Sequence, residues 1–381
     1  MASNEALITP SVLEWAIKRA GVGVESIHKK AAQWISGEAR PTFKQAMDIA
    51  KKLQIPFGYL WLKEPPKERE IIPDLRTIGN LANPELSLEL KTLIKDMKYR
   101  QEWFKDYLRE NELPYCSAVG NFSERDGADT IACDITKTMD LKDLIGARVK
   151  KEILLKTLIK KCESLTILVM RDGIFHSNTR KKLAIEEFRG FSIYDKKAPL
   201  VFINANDSKA GQIFTLIHEL AHLWIGKDGI SDVAFNSDNA VELFCNEVAA
   251  RVLMPEALIR KKFEEIYADD WLSELSDIFS VSTFSILNRL KTLGMLSYKD
   301  YKEYYDIEIE KFNAIPATKR QKGAPPIEKT ARIKNGDMFS FAVVSSVVSG
   351  RENYRDAARL LGYAAISIID KLGKEIGIKC F

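Results

Sequence analysis

Ile213-Phe214-Thr215-Leu216-Ile217-His218-Glu219-Leu220-Ala221-His222-Leu223-Trp224 is the stretch from which the rest of this chain can be read. It is apolar, free of Pro and Gly, and long enough for three helical turns. On a helix, His218 and His222 stand one turn apart, so both imidazoles leave one face and can share a tetrahedral Zn²⁺. Glu219 is turned about 100° from His218, too far round to ligate beside it. It is near enough to act as general base on a water at the metal. The alternative is a buried amphipathic helix with two satisfied histidines. Apolar neighbours alone explain neither His, and the chain holds only four.

A catalytic zinc site needs a third protein ligand. Residues 241–254 read as a helix stopped by Pro255. Glu242 and Asn246 are one turn apart and share a face with Ala249 and Ala250, small residues that permit close helix packing. Glu247 points to another flank, where a solvated or salt-bridged role suits it. The spacing therefore favours Glu242 as ligand, with Asn246 placed to orient a zinc histidine. The oxyanion-stabilising group is left open among His176, Arg180, Arg189 and Arg251. Upstream of the zinc helix, residues 165–170, 190–194 and 200–203 read as three short strands. An extended peptide can add to the edge of such a sheet.

The composition fits this reading. At 381 residues, with 46% apolar and 29% charged residues, the chain can bury two or three cores. A net charge of +4 is too small to argue for nucleic acid by itself. The five cysteines are scattered and form no Cys-x-x-Cys, which reads as reduced thiols in the cytosol and excludes a cysteine-type zinc finger. There is neither the apolar core of a signal peptide nor a run of membrane-spanning length. The expectation is a cytoplasmic protein with no membrane partner.

The flanking regions read as helical. Residues 1–66 carry short helices: one over 12–20 capped by Ser11, one around 24–30, a turn over 33–42, and one over 43–53 capped by Thr42. Residues 67–83 form a linker. Long helical runs follow over 85–109 and 141–158, and the region 84–265 reads as one domain with the zinc helix. In 266–310, two helices separated by Ser280-Val281-Ser282 resemble a helix-turn-helix, with Ser282 as cap. Arg289 and Lys291 are its candidates for phosphate or base contacts, and a helical hairpin completing the core is the rival reading. Residues 311–337 are basic and Pro-containing and read as a linker. Residues 338–381 form a helical tail.

Two family resemblances rest on particular residues. The run Trp34–Leu60, with Trp34, Gly37 and Pro41 before a helix and Ile55-Pro56-Phe57-Gly58-Tyr59-Leu60 after it, resembles an XRE-type helix-turn-helix domain. Only residues 24–33 lie between Gly23 and Trp34, too few for a second helix, a turn and a full recognition helix. A module for protein contacts is as good a reading as DNA binding. The second resemblance runs through Phe188-Arg189-Gly190-Phe191, Asn204, Phe214–Leu223 and Glu242–Pro255. These look like the motifs of the ImmA/IrrE metallopeptidases, themselves similar to gluzincins. The resemblance implies Zn²⁺ on His218, His222 and Glu242, with Glu219 as catalytic base. It also implies a protein substrate, a partner regulator of the XRE type, in a mobile-element, stress-response or toxin-antitoxin-like setting. Gln212 departs from the family, where Arg is common.

The expected fold is thus α+β and mostly helical: an XRE-like N-terminal domain, a zincin-like centre with a small three-stranded sheet, and a helical C-terminal region. The expected function is zinc-dependent endopeptidase. The alternative is a transcriptional regulator or antitoxin that binds DNA or a cognate toxin, with a structural or vestigial zinc site.

Overall fold

The computed structural model describes residues 5–66, 86–176, 178–231, 240–267, 269–314 and 326–379. The described residues divide into two compact units, the first holding 5–66 and 86–96 and the second the described residues from 97 to 379. The expected linker 67–83 lies outside the described residues.

In the first unit, α1 (Pro10–Arg19), α2 (Val24–Ile27), α3 (Ala31–Ile35) and α4 (Phe43–Lys52) surround Leu13, Ala16, Trp34, Ile49 and Leu60. Thr42 caps α4 as its sequence suggests. Its hydroxyl accepts from the Gln45 amide at 3.3 Å, and the Gln45 side chain returns a bond to the Thr42 amide at 2.9 Å. Two expectations fail here. α1 starts a residue before Ser11, at Pro10 with Thr9 as N-cap, because Pro suits the first helical position. The turn expected over 33–42 opens with α3, whose Trp34 is buried and stacked on His28.

The second unit opens on α5 (Leu88–Glu110), which runs into it from the first, and continues through α6 (Ala128–Thr138) and α7 (Lys151–Ser164). The single helix expected over 141–158 is an error. Residues 142–146 are a turn, Gly146 among them at φ +76°, 147–150 are irregular, and the helix begins at Lys151. Six strands follow: β1 (Leu168–Asp172), β2 (Ile174–Phe175), β3 (Asn178–Lys182), β4 (Gly190–Ile193), β5 (Leu200–Asn204) and β6 (Gly229–Ser231). β2 and β3 form a hairpin of their own, and the others make a four-stranded sheet in the order β1-β5-β4-β6. The three strands read from sequence are three of these four. β6 escaped notice because three residues carry no usable pattern. β1 and β5 are parallel, and β4 is antiparallel to both β5 and β6.

The zinc-motif helix is α8 (Lys209–Trp224), capped by Ser208 and packed between the sheet and the helices α7 and α9 (Ala240–Leu253). It is apolar nearly all round because it is buried nearly all round. Gly190 permits the close approach of helix to sheet: a Cβ there would stand 2.5 Å from the Thr215 methyl. Gln212, the departure from family pattern, donates to the carbonyls of Ala205 and Asp207 at 3.2 and 2.7 Å, tying the start of α8 to the loop after β5.

The chain then runs through α10 (Glu256–Glu265), α11 (Trp271–Phe279), α12 (Thr283–Thr292), α13 (Tyr298–Ala314), α14 (Ile327–Asn335), α15 (Asp337–Val348), α16 (Tyr354–Leu360) and α17 (Ile368–Ile376). Leu272, Leu275, Phe279, Ile286, Leu287 and Leu290 belong to the same core as α8. Within 266–310 the apolar faces of α11 and α12 are therefore buried in that core. The basic segment 311–337 is not all linker, since α13 reaches Ala314 and α14 occupies 327–335. α14 packs on β1, one of the two edge strands of the sheet. A polar seam fastens this region: Lys334 pairs with Asp172 at 2.7 Å, and Arg100 donates to Asn335 at 2.8 Å. Glu163 accepts from the Met338 amide at 3.1 Å. Among the described residues no helix is long and apolar enough to cross a membrane, and four cysteines are free.

Candidate metal centre

α8 and α9 bring three buried side chains to one point. His218 Nε2 lies 3.0 Å from one Glu242 carboxylate oxygen, and His222 Nε2 lies 3.1 Å from the other. The two Nε2 atoms are 3.2 Å apart. Among the described residues this is the one group of three His, Cys or acidic side chains able to hold a metal.

The donor set fits a divalent cation. Four ligands at bond lengths of about 2.0–2.1 Å around zinc have neighbouring donors roughly 3.3 Å apart. The spacings of 3.0–3.2 Å lie close to that edge length. Two ring nitrogens this close avoid lone-pair repulsion by sharing a cation or by one ring donating its proton to the other. The charges respond accordingly. Burial pushes the Glu242 carboxyl up, but hydrogen bonds and charge from His218 and His222 outweigh it and hold the group down at about 2. Burial disfavours charge on His218, yet Glu242, Glu219 and the Asn246 side chain together raise its pKa. Nδ1 of each ring is buried and makes no hydrogen bond of good geometry. The Asn246 side chain lies within reach of the His218 ring.

Glu219 is fully buried and turned to the sheet, where it accepts from the Ser192 hydroxyl at 2.8 Å. Glu247 is exposed and bonded to Arg251 at 3.2 Å, one turn along α9, which leaves Glu242 as the inward carboxylate. Arg251 also pairs with Asp129, and Arg189 with Asp207 at 3.2 Å. His176 stacks on Phe175. The Arg180 side chain lies outside the described residues.

Arg289 does not offer the exposed guanidinium that the expected phosphate or base contact needs. It is 5% exposed, and its Nε donates to the Met254 carbonyl at 3.1 Å, so the guanidinium serves the core. Lys291 lies over the rings of Tyr301 and Tyr298, at 4.4 and 5.4 Å from their centroids.

Sequence reasoning missed Ser192 and Gly229. Gly229 lies behind the metal-side histidine, where a Cβ would meet the His222 ring at 2.5 Å. The available signal was Gly190 and Ser192, two small residues on one face of a strand, a pattern that marks close backbone approach.

A His-Glu-x-x-His helix against a mixed sheet, with a carboxylate from the next helix as third candidate ligand, is a framework used by metal-dependent hydrolases. Residues 162–291 match the Peptidase_M78 family, described as the IrrE N-terminal-like domain, and the match supports a metallopeptidase role for this segment. Residues 335–375 match a domain of unknown function, DUF8813. No curated protein matches the chain.

Proposed function

We propose that this chain is a zinc-dependent endopeptidase that cleaves or inactivates a partner regulatory protein. The observation that carries the reading is the convergence of His218, His222 and Glu242 within hydrogen-bond distance of one another, with Glu219 one residue along the same helix. These residues would hold the ion through both Nε2 atoms and the Glu242 carboxylate. When bound, zinc supplies Lewis acidity, making water a nucleophile at neutral pH and polarising the scissile carbonyl. Glu219 takes the proton from the attacking water and delivers it to the leaving amine. The buried surroundings of α8 strengthen each of these interactions by excluding bulk water.

Selection of the partner falls to protein contacts. α2 and α3 have four and five residues, shorter than the helix pair with which a helix-turn-helix domain crosses the backbone and reads the groove. An XRE-type repressor encoded beside this chain is the first substrate to try. The experiment takes the purified full chain, measures zinc per chain, and incubates it with the product of the adjacent gene, reading fragments by mass spectrometry. One zinc per chain, lost in His218→Ala, and cleavage abolished in Glu219→Gln are expected. A zinc-loaded protein that leaves this partner intact with or without Glu219 overturns the proposal and favours a regulator with a structural metal.

A further inference from the structure

We infer that Ser192 is a positioning residue for Glu219, holding its carboxylate from the sheet side and off the metal; this rests on the reading of Glu219 as general base. The hydroxyl donates to Glu219 Oε2 at 2.8 Å across the gap between β4 and α8. Ser192 is 1% exposed and Glu219 is not exposed at all, so water does not compete for the bond. A buried carboxylate needs donors: held by Ser192, Glu219 keeps the direction its place on α8 favours, away from a ligand position, and without that donor a side chain within reach of a metal-bound water can turn onto the cation itself. As a ligand, Glu219 would no longer be available to take a proton. The Ser192 hydroxyl sets the rotation of the group and opposes that swing.

The strand geometry explains why the hydroxyl reaches. β4 pairs antiparallel with β6, and Ser192 stands directly opposite Gly229. Opposed residues of an antiparallel pair share one face of the sheet. On that face Ser192 meets Glu219, and Gly229 abuts the His222 ring. Gly190, two residues earlier on β4, allows α8 close to the sheet, with a Cβ there falling 3.7 Å from Glu219 Cγ. A serine side chain spans the remaining distance.

Cobalt(II) alone is the probe, loaded into the full chain. Its visible bands are intense with four ligands and weaken as a fifth joins. The proteins compared are wild type, Ser192→Ala, Ser192→Thr, Glu219→Gln and the double variant Ser192→Ala/Glu219→Gln, with thermal melts to establish folding. Ser192→Ala is expected to lose band intensity. Ser192→Thr, which keeps the hydroxyl, is expected to restore it, and the change is expected to vanish in the Glu219→Gln background. Superimposable spectra for wild type and Ser192→Ala overturn the inference while leaving the metallopeptidase reading standing. A spectral change that survives in the Glu219→Gln background also overturns it, because Ser192 then acts through another group. A wild-type chain that takes up no cobalt overturns the metallopeptidase reading, and the role of Ser192 falls with it.

Discussion

Replacing Gly229 by Ala tests whether β6 fixes the position of His222, a ligand in the proposed metal site. The new Cβ would lie 2.5 Å from His222 Cδ2, 2.6 Å from Cγ and 2.8 Å from Nδ1. Ordinary contact begins at 3.4 Å, so the ring or the strand must yield by about 0.9 Å. His222 is 1% exposed and sits on a helix buried on nearly every side, so the ring has little room to retreat. Metal–ligand bonds tolerate deviations of about 0.2 Å. The displacement is several times that, and loss of zinc affinity on the order of 100-fold, or ~2.7 kcal/mol, is expected. Gly229 does not need the left-handed region, so alanine adds no backbone strain of its own. The assay is competition for zinc with a chromophoric chelator, with Gly58→Ala as control, since nothing lies within 4 Å of a Cβ there. Wild-type affinity in Gly229→Ala would refute the reasoning and show that the edge strand gives way instead of the ring.

Three further outcomes are expected. Burial chiefly pushes the Glu163 carboxyl up to about 7, aided by the charge of Asp337 and opposed by the Met338 amide and Arg332. Its stabilising contribution is full below about 4.5 and lost as pH rises through about 7, so denaturant titrations should show wild type losing on the order of 3 kcal/mol across that window relative to Glu163→Gln. Lys334→Met leaves Asp172 without its partner at 2.7 Å and should cost about 3 kcal/mol, with Lys334→Met/Asp172→Asn costing less, as read by urea midpoints. Arg289→Ala strips the donor from the Met254 carbonyl and should lower stability by about 2 kcal/mol, while gel-shift assays show no change in DNA binding.

Several elements were legible in the chain because their signals are local. The zinc helix shows its two histidines one turn apart, and Thr42 and Ser282 announce their helices through hydroxyl caps that the structure contains. Strands β1, β4 and β5 are short apolar runs between turn residues. Glu242 could be preferred to Glu247 because only one of two carboxylates on a helix can share the face of Asn246 and the small alanines. Other elements were not legible because their causes lie far away in sequence. Residues 141–150 carry an apolar helical pattern, yet they form a turn and irregular chain whose Leu141 and Ile145 join the core shared with α8. Arg289 looked like a nucleic-acid contact because arginine on a capped helix is usually solvated; the carbonyl that claims it belongs to Met254.

The sequence by itself determined the helix that carries His218, Glu219 and His222 and favoured Glu242 over Glu247 as the carboxylate that faces the two histidines, since helical periodicity converts spacing into shared faces. Only the tertiary structure decided what surrounds them. Ser192 is 27 residues from Glu219 in sequence, and the pairing of β4 with β6 sets Gly229 beside it. Those partnerships depend on how sheet and helix pack, which no local pattern encodes.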